Sequence, residues 1–447
     1  MLLQSYIFFS IFFHLVFSLP KDVQQKFNPS LYQDLKAARS YNSILRRSDR
    51  ISIVKDIVLT YADEHNERTK FASRVKLSGN RPTLVIEEFD HLLDFVDCAD
   101  STLSFGFRDS SAYSNSKDAC SDLDQGLIVA SHASCSNPGT HSVYEITNLR
   151  FDDESKRLIF ETQPSSFRDA FKSHKVDFGR TSEPHYFHRH ERLARRQSPT
   201  STLSRIPESV TAGAIPTQTY DVDTLTLDLT QEVIDTTFEL PFGVEVAPAF
   251  PISIGCKECT TTGSLVLSAG EVDLSNPIGL SIQSFDPDQD RDLIKAGYFE
   301  AELNGFEASI LLSATPSGNV EFAYDLFTFA PAGFNIPGFG SVGVIFQPQI
   351  AFDIGINGGV EFTWGFNLTV PDQSRIRLDI AELSNSSITG LENTAIGALP
   401  FNANASDIEL SLSVGLRPFI ALGMSFFDED SSSSQVLTLI FRLSKPP

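Results

Sequence analysis

Beyond Phe17 the chain has no apolar run long enough to cross a bilayer as a helix, which takes about 20 residues. No transmembrane segment is therefore expected. The C-terminal residues, Gln435 to Pro447, alternate and carry Arg442 and Lys445, so the long apolar tail of a lipid-anchor signal is missing too. No G-x-S-x-G elbow and no H-E-x-x-H pair occurs, which removes the local signatures of a serine hydrolase and a zinc peptidase. Basic residues are scarce after Arg196. Residues 1–196 carry as many Lys and Arg as Asp and Glu, so the whole formal charge of −22 falls on residues 197–447. Such a surface repels phosphate, and no nucleic-acid partner is expected; anionic lipid is disfavoured for the same reason. The step in charge suggests two units with different surfaces. Its plainest role is to keep the protein soluble.

Met1 to Phe17 is apolar almost throughout, with Ile7-Phe8-Phe9 and Ile11-Phe12-Phe13 at its centre. Val16 and Ser18 stand where small residues precede a cleavage site. Residues 1–18 therefore read as a signal peptide cut after Ser18, although the usual positive charge at the start is absent. The expected location is secreted, extracellular or in the cell wall. Five cysteines follow: Cys98, Cys120, Cys135, Cys256 and Cys259. The secretory route favours disulfides. If bridges stay within domains, the first half keeps one unpaired thiol.

Residues 19–50 are polar, with weak helical periodicity at Leu31, Leu35 and Ala38, and read as a leader or short helix outside the core. From Ile51 short alternating runs appear: Ile51 to Leu59, Thr83–Ile86, Leu103–Phe107, Leu127–Ala130, Val143–Ile146 and Leu158–Glu161. Ser, Asn, Asp and Gly clusters separate them, the signature of a sandwich or barrel. This gives a first β domain over 51–164. Residues 165–219 have linker composition, with the His-rich stretch His185, His188 and His190, then Arg195-Arg196, then a Ser/Thr/Pro-rich segment. A dibasic pair in a secreted chain is what furin-like and yeast-type processing proteases cut; the bland reading is two solvated arginines. Arg46-Arg47 is a weaker pair of the same kind.

A second, acidic β domain spans 220–447. Val342, Val344, Phe346, Pro348, Ile350, Phe352, Ile354 and Ile356 hold every even position; after Asn357-Gly358-Gly359, Val360, Phe362, Trp364, Phe366, Leu368 and Val370 resume it. Period-two alternation on both sides of a Gly-rich turn reads as a long amphipathic hairpin. Similar alternation marks Phe238–Val246, Val320–Leu326 and Ile408–Leu416. Such strands exceed the usual ~5–6 residues, so the sheet is expected to fold over on itself or close into a flattened barrel. Its interior is then packed solid or holds an apolar ligand. Three sequons sit here, at Asn367, Asn385 and Asn404. Asn367 falls on the polar, odd face, where a glycan must sit. The expected class is mainly β: two antiparallel β-sandwich or barrel-like domains, the second with long amphipathic hairpins.

Local motifs for chemistry weigh little. Gly338-Phe339-Gly340-Ser341-Val342-Gly343 matches G-x-G-x-x-G, but Ile336-Pro337 precede it and a strand pattern follows, whereas dinucleotide binding needs strand, loop and helix. Cys256-Lys257-Glu258-Cys259 matches C-x-x-C between β-prone segments, and reads as a structural disulfide closing a turn, not a redox pair at a helix start. The linker histidines lie among basic residues that repel a cation. Asp286, Asp288 and Asp290 have calcium-loop spacing, without the sixth-position glycine and the distal glutamate. No metal, cofactor or catalytic residue is assigned. Paired carboxylates for glycoside cleavage need not be sequence neighbours and stay open.

Two stretches carry a family likeness. Asp97-Cys98, Leu103-Ser104-Phe105, Gly126-Leu127-Ile128-Val129, His132, Cys135 and Tyr144-Glu145-Ile146 form the first. Cys256 and Cys259, Gly263-Ser264-Leu265, Phe334-Asn335-Ile336-Pro337-Gly338 and Val370-Pro371-Asp372 form the second. In this order they resemble secreted filamentous-fungal proteins that pair two β domains of unknown function. The resemblance implies a Cys98–Cys135 bridge, with Cys120 left as the extra thiol. It supplies no activity. Members tend to carry tryptophans in the first domain, near Ala112–Cys120 and Phe167; here the only one is Trp364, which weakens an aromatic sugar platform there. The expected function is that of an extracellular or cell-wall protein, structural or binding and more readily non-enzymatic. The alternatives are a carrier of an apolar ligand and a carbohydrate-active enzyme. Wall glycans or an apolar small molecule are the partners to consider.

Overall fold

The computed structural model describes residues 11–14, 32–40, 50–63, 71–99, 101–121, 123, 125–187, 225–237, 253–275, 294–315, 320–325, 332–356, 361–379, 385–403, 410–426 and 437–443. The N-terminal part supplies β1 (Ile11–His14), β2 (Gln33–Asp34) and β3 (Lys36–Ser40). Then come β4 (Val54–Ala62), β5 (Phe71–Val85), helix α1 (Ile86–Phe89), β6 (Leu93–Ala99), β7 (Thr102–Phe107), helix α2 (Ser110–Cys120), β8 (Leu127–Ala130), β9 (Ser142–Asp152) and β10 (Arg157–Ser165). Helix α3 (Phe167–Ala170), β11 (Ser173–Arg180) and β12 (His185–Tyr186) follow. The C-terminal part has β13 (Thr226–Asp228), β14 (Gln231–Thr237), β15 (Ser253–Ser275), β16 (Ile294–Thr315), β17 (Val320–Asp325), β18 (Ala332–Ile336), β19 (Gly340–Ile356), β20 (Phe362–Thr369) and β21 (Ser374–Asp379). It ends with β22 (Ser387–Thr389), β23 (Ala395–Ala403), β24 (Leu410–Phe426) and β25 (Leu437–Leu443).

The strands form two large, mostly antiparallel sheets. In the first, β6, β7, β10, β9 and β8 lead in that order to β5. One edge of β5 takes β4, which takes β3; its other edge takes β11. The far edge of β11 pairs with β15. Along that same edge of β15 lie β13 and β14, while its opposite edge forms a long hairpin with β16. Strand β16 then carries β20 and β21, which carry β23 and β22. Strand β12 pairs with β3, and among the described residues these pairings do not close a ring, so the sheet is open and not a closed barrel. The second sheet runs β25, β24, β19, with β17 and β18 on the far edge of β19; β1, from the stretch expected to be cut away as a signal peptide, is here paired with β25.

The two sheets bury their apolar faces against each other. Phe306 of the first meets Phe346 of the second edge-on, with ring centroids 5.8 Å apart. Phe334 of β18 touches both Phe71 of β5 and Phe178 of β11, each at 5.0 Å. One continuous core results, from Leu35 through Val75 and Phe178 to Ile310, Phe346 and Leu378. A second core, with Phe89, Phe105 and Phe160, lies under α1 and α2. Helix α2 starts at Asp109, whose carboxylate accepts from Ala112 N at 2.7 Å, a standard N-cap.

Three expectations need correction. The segment 19–50 is not outside the core in its middle: Tyr32, Leu35, Ala37 and Ala38 are buried, and β2 pairs in parallel with β18. The apparent helical spacing there is short, and neighbouring strand edges that need partners override it. The segment 165–219 is not linker at its start, because His174, Val176 and Phe178 alternate inward on β11. Strands β19 and β20 do not pair as a hairpin. They lie in different sheets, β19 beside β24 and β20 between β16 and β23. Alternation fixes which face is apolar, and both a hairpin and an arch between sheets satisfy it. The pattern at 238–246 lies outside the described residues.

Candidate functional site

A cavity of about 870 Å³ opens across the outer face of the first sheet, where the N- and C-terminal parts meet. Its walls come from β3 (Ala38 to Ser40), β4 (Val58 to Thr60), Arg74 of β5 and the α1 carboxylates Glu87 and Glu88. Strand β11 and the turn after it add Asp177 to Thr181, Glu183 and His185; β15 adds Ser268 to Glu271, and β16 adds Tyr298. Alternation explains the polarity. While Val75, Leu77, Val176 and Phe178 face the core, their neighbours Arg74, Lys76, Lys175 and Asp177 face out.

One end of the groove is a buried polar cluster. Arg39 and Asp90, both under one-tenth exposed, form an ion pair at 3.2 Å. Glu87 Oε1 accepts from Ser131 N at 2.6 Å and from Ser131 Oγ at 2.5 Å, with His141 Nε2 at 3.9 Å. The Tyr61 ring stands edge-on to His141 at 4.9 Å. Burial, with Glu87 adding to it, holds the Tyr61 hydroxyl well above its usual range. The Glu88 carboxyl is also pushed up, by burial first and by Glu87 second, with Arg39 pulling it back. His185 is pushed down by burial, and its Nδ1 sits 2.8 Å from the Glu183 carbonyl.

Beside the groove runs a ladder of ion pairs crossing strand to strand, whose lysines do not line it. Lys76 Nζ reaches Asp177 at 2.6 Å, and Lys175 Nζ reaches Glu271 at 2.5 Å. The Arg377 guanidinium lies 3.7 Å from the centroid of the Tyr298 ring, a cation–π contact. The cavity is lined by five carboxylate side chains against three arginines. That balance disfavours an anionic ligand and suits a neutral, hydroxyl-rich or cationic one.

The residues singled out from the sequence do not converge on this groove. Cys98 and Cys135 lie at disulfide distance, with Cα atoms 5.0 Å apart, joining the end of β6 to the loop after β8. Cys256 and Cys259 do likewise at 5.9 Å, on β15, where the register shifts against β16. Cys120 is free and buried, and burial pushes its thiol up to about 12. Asn367 and Asn385 are exposed. Gly338 sits in the turn between β18 and β19 at φ 82°, with a strand and no helix after it. Trp364 is buried in the core. Only His185 lines the groove. Arg195, Arg196, Arg46, Arg47, His188, His190, Asn404 and the aspartates 286–292 lie outside the described residues. Among the described residues no group of three or more His, Cys, Asp or Glu could hold a metal ion.

Sequence reasoning missed Arg39, Glu87, Glu88, Asp90 and His141. One signal was present. Glu87-Glu88 directly follows the apolar run Leu84-Val85-Ile86, and acids abutting a buried strand need partners.

Residues 76–175 match a family described as a domain of unknown function (DUF7029), and residues 233–439 match a second domain of unknown function (DUF7223). The first match begins within β5 and ends within β11. No curated protein and no solved structure matches the chain.

Proposed function

We propose that this tandem of two domains of unknown function is a secreted, extracellular or cell-wall-associated binding protein whose groove takes a hydroxyl-rich ligand, a stretch of wall glycan. The observation that carries this reading is the contrast between the groove and the interior. The groove is roomy and polar, with acids, guanidinium groups and hydroxyls spaced along crossing strands. Inside, the Phe71, Phe178, Phe299 and Phe334 rings touch one another at 5.0–6.1 Å, which leaves an apolar ligand with less support. Secretion rests on the signal-like N-terminus, the two cysteine pairs at disulfide distance and the exposed acceptors Asn367 and Asn385.

The test is retention of the purified protein on insoluble wall glycans, followed by titration with soluble fragments. Arg74 is two-thirds exposed, so Arg74→Ala should spare the fold and weaken binding roughly tenfold, the worth of one charge-assisted hydrogen bond. Absence of binding to any wall glycan would sink the reading. A second reading, hydrolysis of the bound glycan, draws on Glu88, a groove carboxyl held above its ordinary range beside Glu87, the environment of a general acid. Release of reducing sugar that Glu88→Gln abolishes would replace binding with catalysis.

A further inference from the structure

We infer that the two matched regions are halves of one particle, held together by a shared sheet and core and not by the peptide that joins them. A chain cut anywhere between Phe187 and Leu225 then stays a single two-chain molecule. The partner that the N-terminal half fits is its own C-terminal half.

Strand β11 carries the inference. It lies between β5 on one side, with eight paired residues, and β15 on the other, with seven. Its backbone therefore pairs with both halves along nearly its whole length. Phe178 reaches through the seam to Phe299 at 5.6 Å and Phe334 at 5.0 Å. Phe339 of the C-terminal half sits on Phe167 at 4.5 Å and on Tyr61 at 5.9 Å. Strand β2 adds itself in parallel to β18, and Asn335 Nδ2 donates to Asp34 Oδ1 at 2.9 Å.

Neither half can bury these surfaces alone. Without β15, β11 becomes an edge with an unpaired row of N–H and C=O groups. Without β18 and β19, Phe71, Phe178, Phe167 and Tyr61 lose their cover. Nothing covalent replaces the link, because Cys98–Cys135 and Cys256–Cys259 each stay within one half. Charge does not oppose the union, since residues 1–196 are formally neutral and the excess acid is all on the other side. The dibasic Arg195-Arg196 lies between the halves in sequence, but the inference does not depend on where the cut falls.

The experiment uses the full-length secreted protein with a site-specific protease sequence inserted after Arg196. After digestion, a non-reducing denaturing gel should show two chains. Native mass spectrometry and gel filtration should show one particle of unchanged size, with a superimposable melting curve. The particle should survive molar salt, which screens ion pairs such as Lys175–Glu271, and should part only in denaturant. Separation or aggregation after digestion would overturn the inference. So would separation in salt alone, which would reduce the seam to surface charge. Resistance of the inserted sequence to cutting in the native protein would overturn it too, by placing the join within the fold.

Discussion

Arg39 shows how a single buried charge ties the N-terminal segment to the rest. Its guanidinium meets Asp90 where neither side chain is more than one-tenth exposed. Removing Arg39 takes from the buried Asp90 carboxylate the positive charge that offsets it, at a cost of about 3–5 kcal/mol. Arg39→Ala should therefore unfold at much lower urea than the parent, while Arg39→Ala with Asp90→Leu should recover part of the loss. His174 gives a second residue-scale expectation. It is buried, with Nε2 3.0 Å from the Phe167 carbonyl, and burial lowers its pKa below 6.5 despite that bond. The unfolded chain thus binds the proton more readily. Stability is full above the unfolded value near 6.5 and falls as pH drops through it toward the lower folded value. Urea midpoints at about pH 7.5 and about pH 5 should converge in His174→Gln relative to the parent; an identical fall in both proteins would refute the assignment.

At the scale of elements, aromatic rings lying over glycines mark the close approaches. Gly270 of β15 is in register with Phe178 of β11, and a Cβ there would meet the ring at 2.1 Å. Gly270→Ala should push the ring out of the seam and lower the melting temperature by several degrees, about 1–3 kcal/mol of overpacking; Ala at the open position Gly397, with nothing within 4 Å, should be neutral. The Tyr32 ring covers Gly343 in the same manner, tying β2's approach to β19. Much of this was legible in the sequence. Alternation located β7, β8, β9 and β10, and it oriented β20 so that Phe362, Trp364 and Leu368 point in while Asn367 points out. The partners of each strand were not legible. Period two says which face is apolar and nothing about which edge is beside it, so the arch of β19 and β20 looked like a hairpin. The groove was hidden for the same reason: Arg39, Glu87, His141, Asp177 and Glu271 come from five distant stretches and meet only through pairing.

For the whole molecule, the shared core predicts one unfolding transition in place of two. Fluorescence of the lone Trp364 reports on the C-terminal half, and far-ultraviolet dichroism reports on all strands. The two curves should coincide; a separate early transition in either would divide the core. The bond between Asn335 and Asp34 spans 301 residues of sequence. At a synthesis rate of ~5–20 residues per second, the partner of Asp34 emerges roughly 15–60 s after it. Until then the first-made segment holds Tyr32 and Leu35 with no sheet to bury them. Such a high contact order makes folding slow and exposes the nascent chain to aggregation. Yield from the cell should therefore be limited by chaperone supply during synthesis more than by the stability of the finished protein.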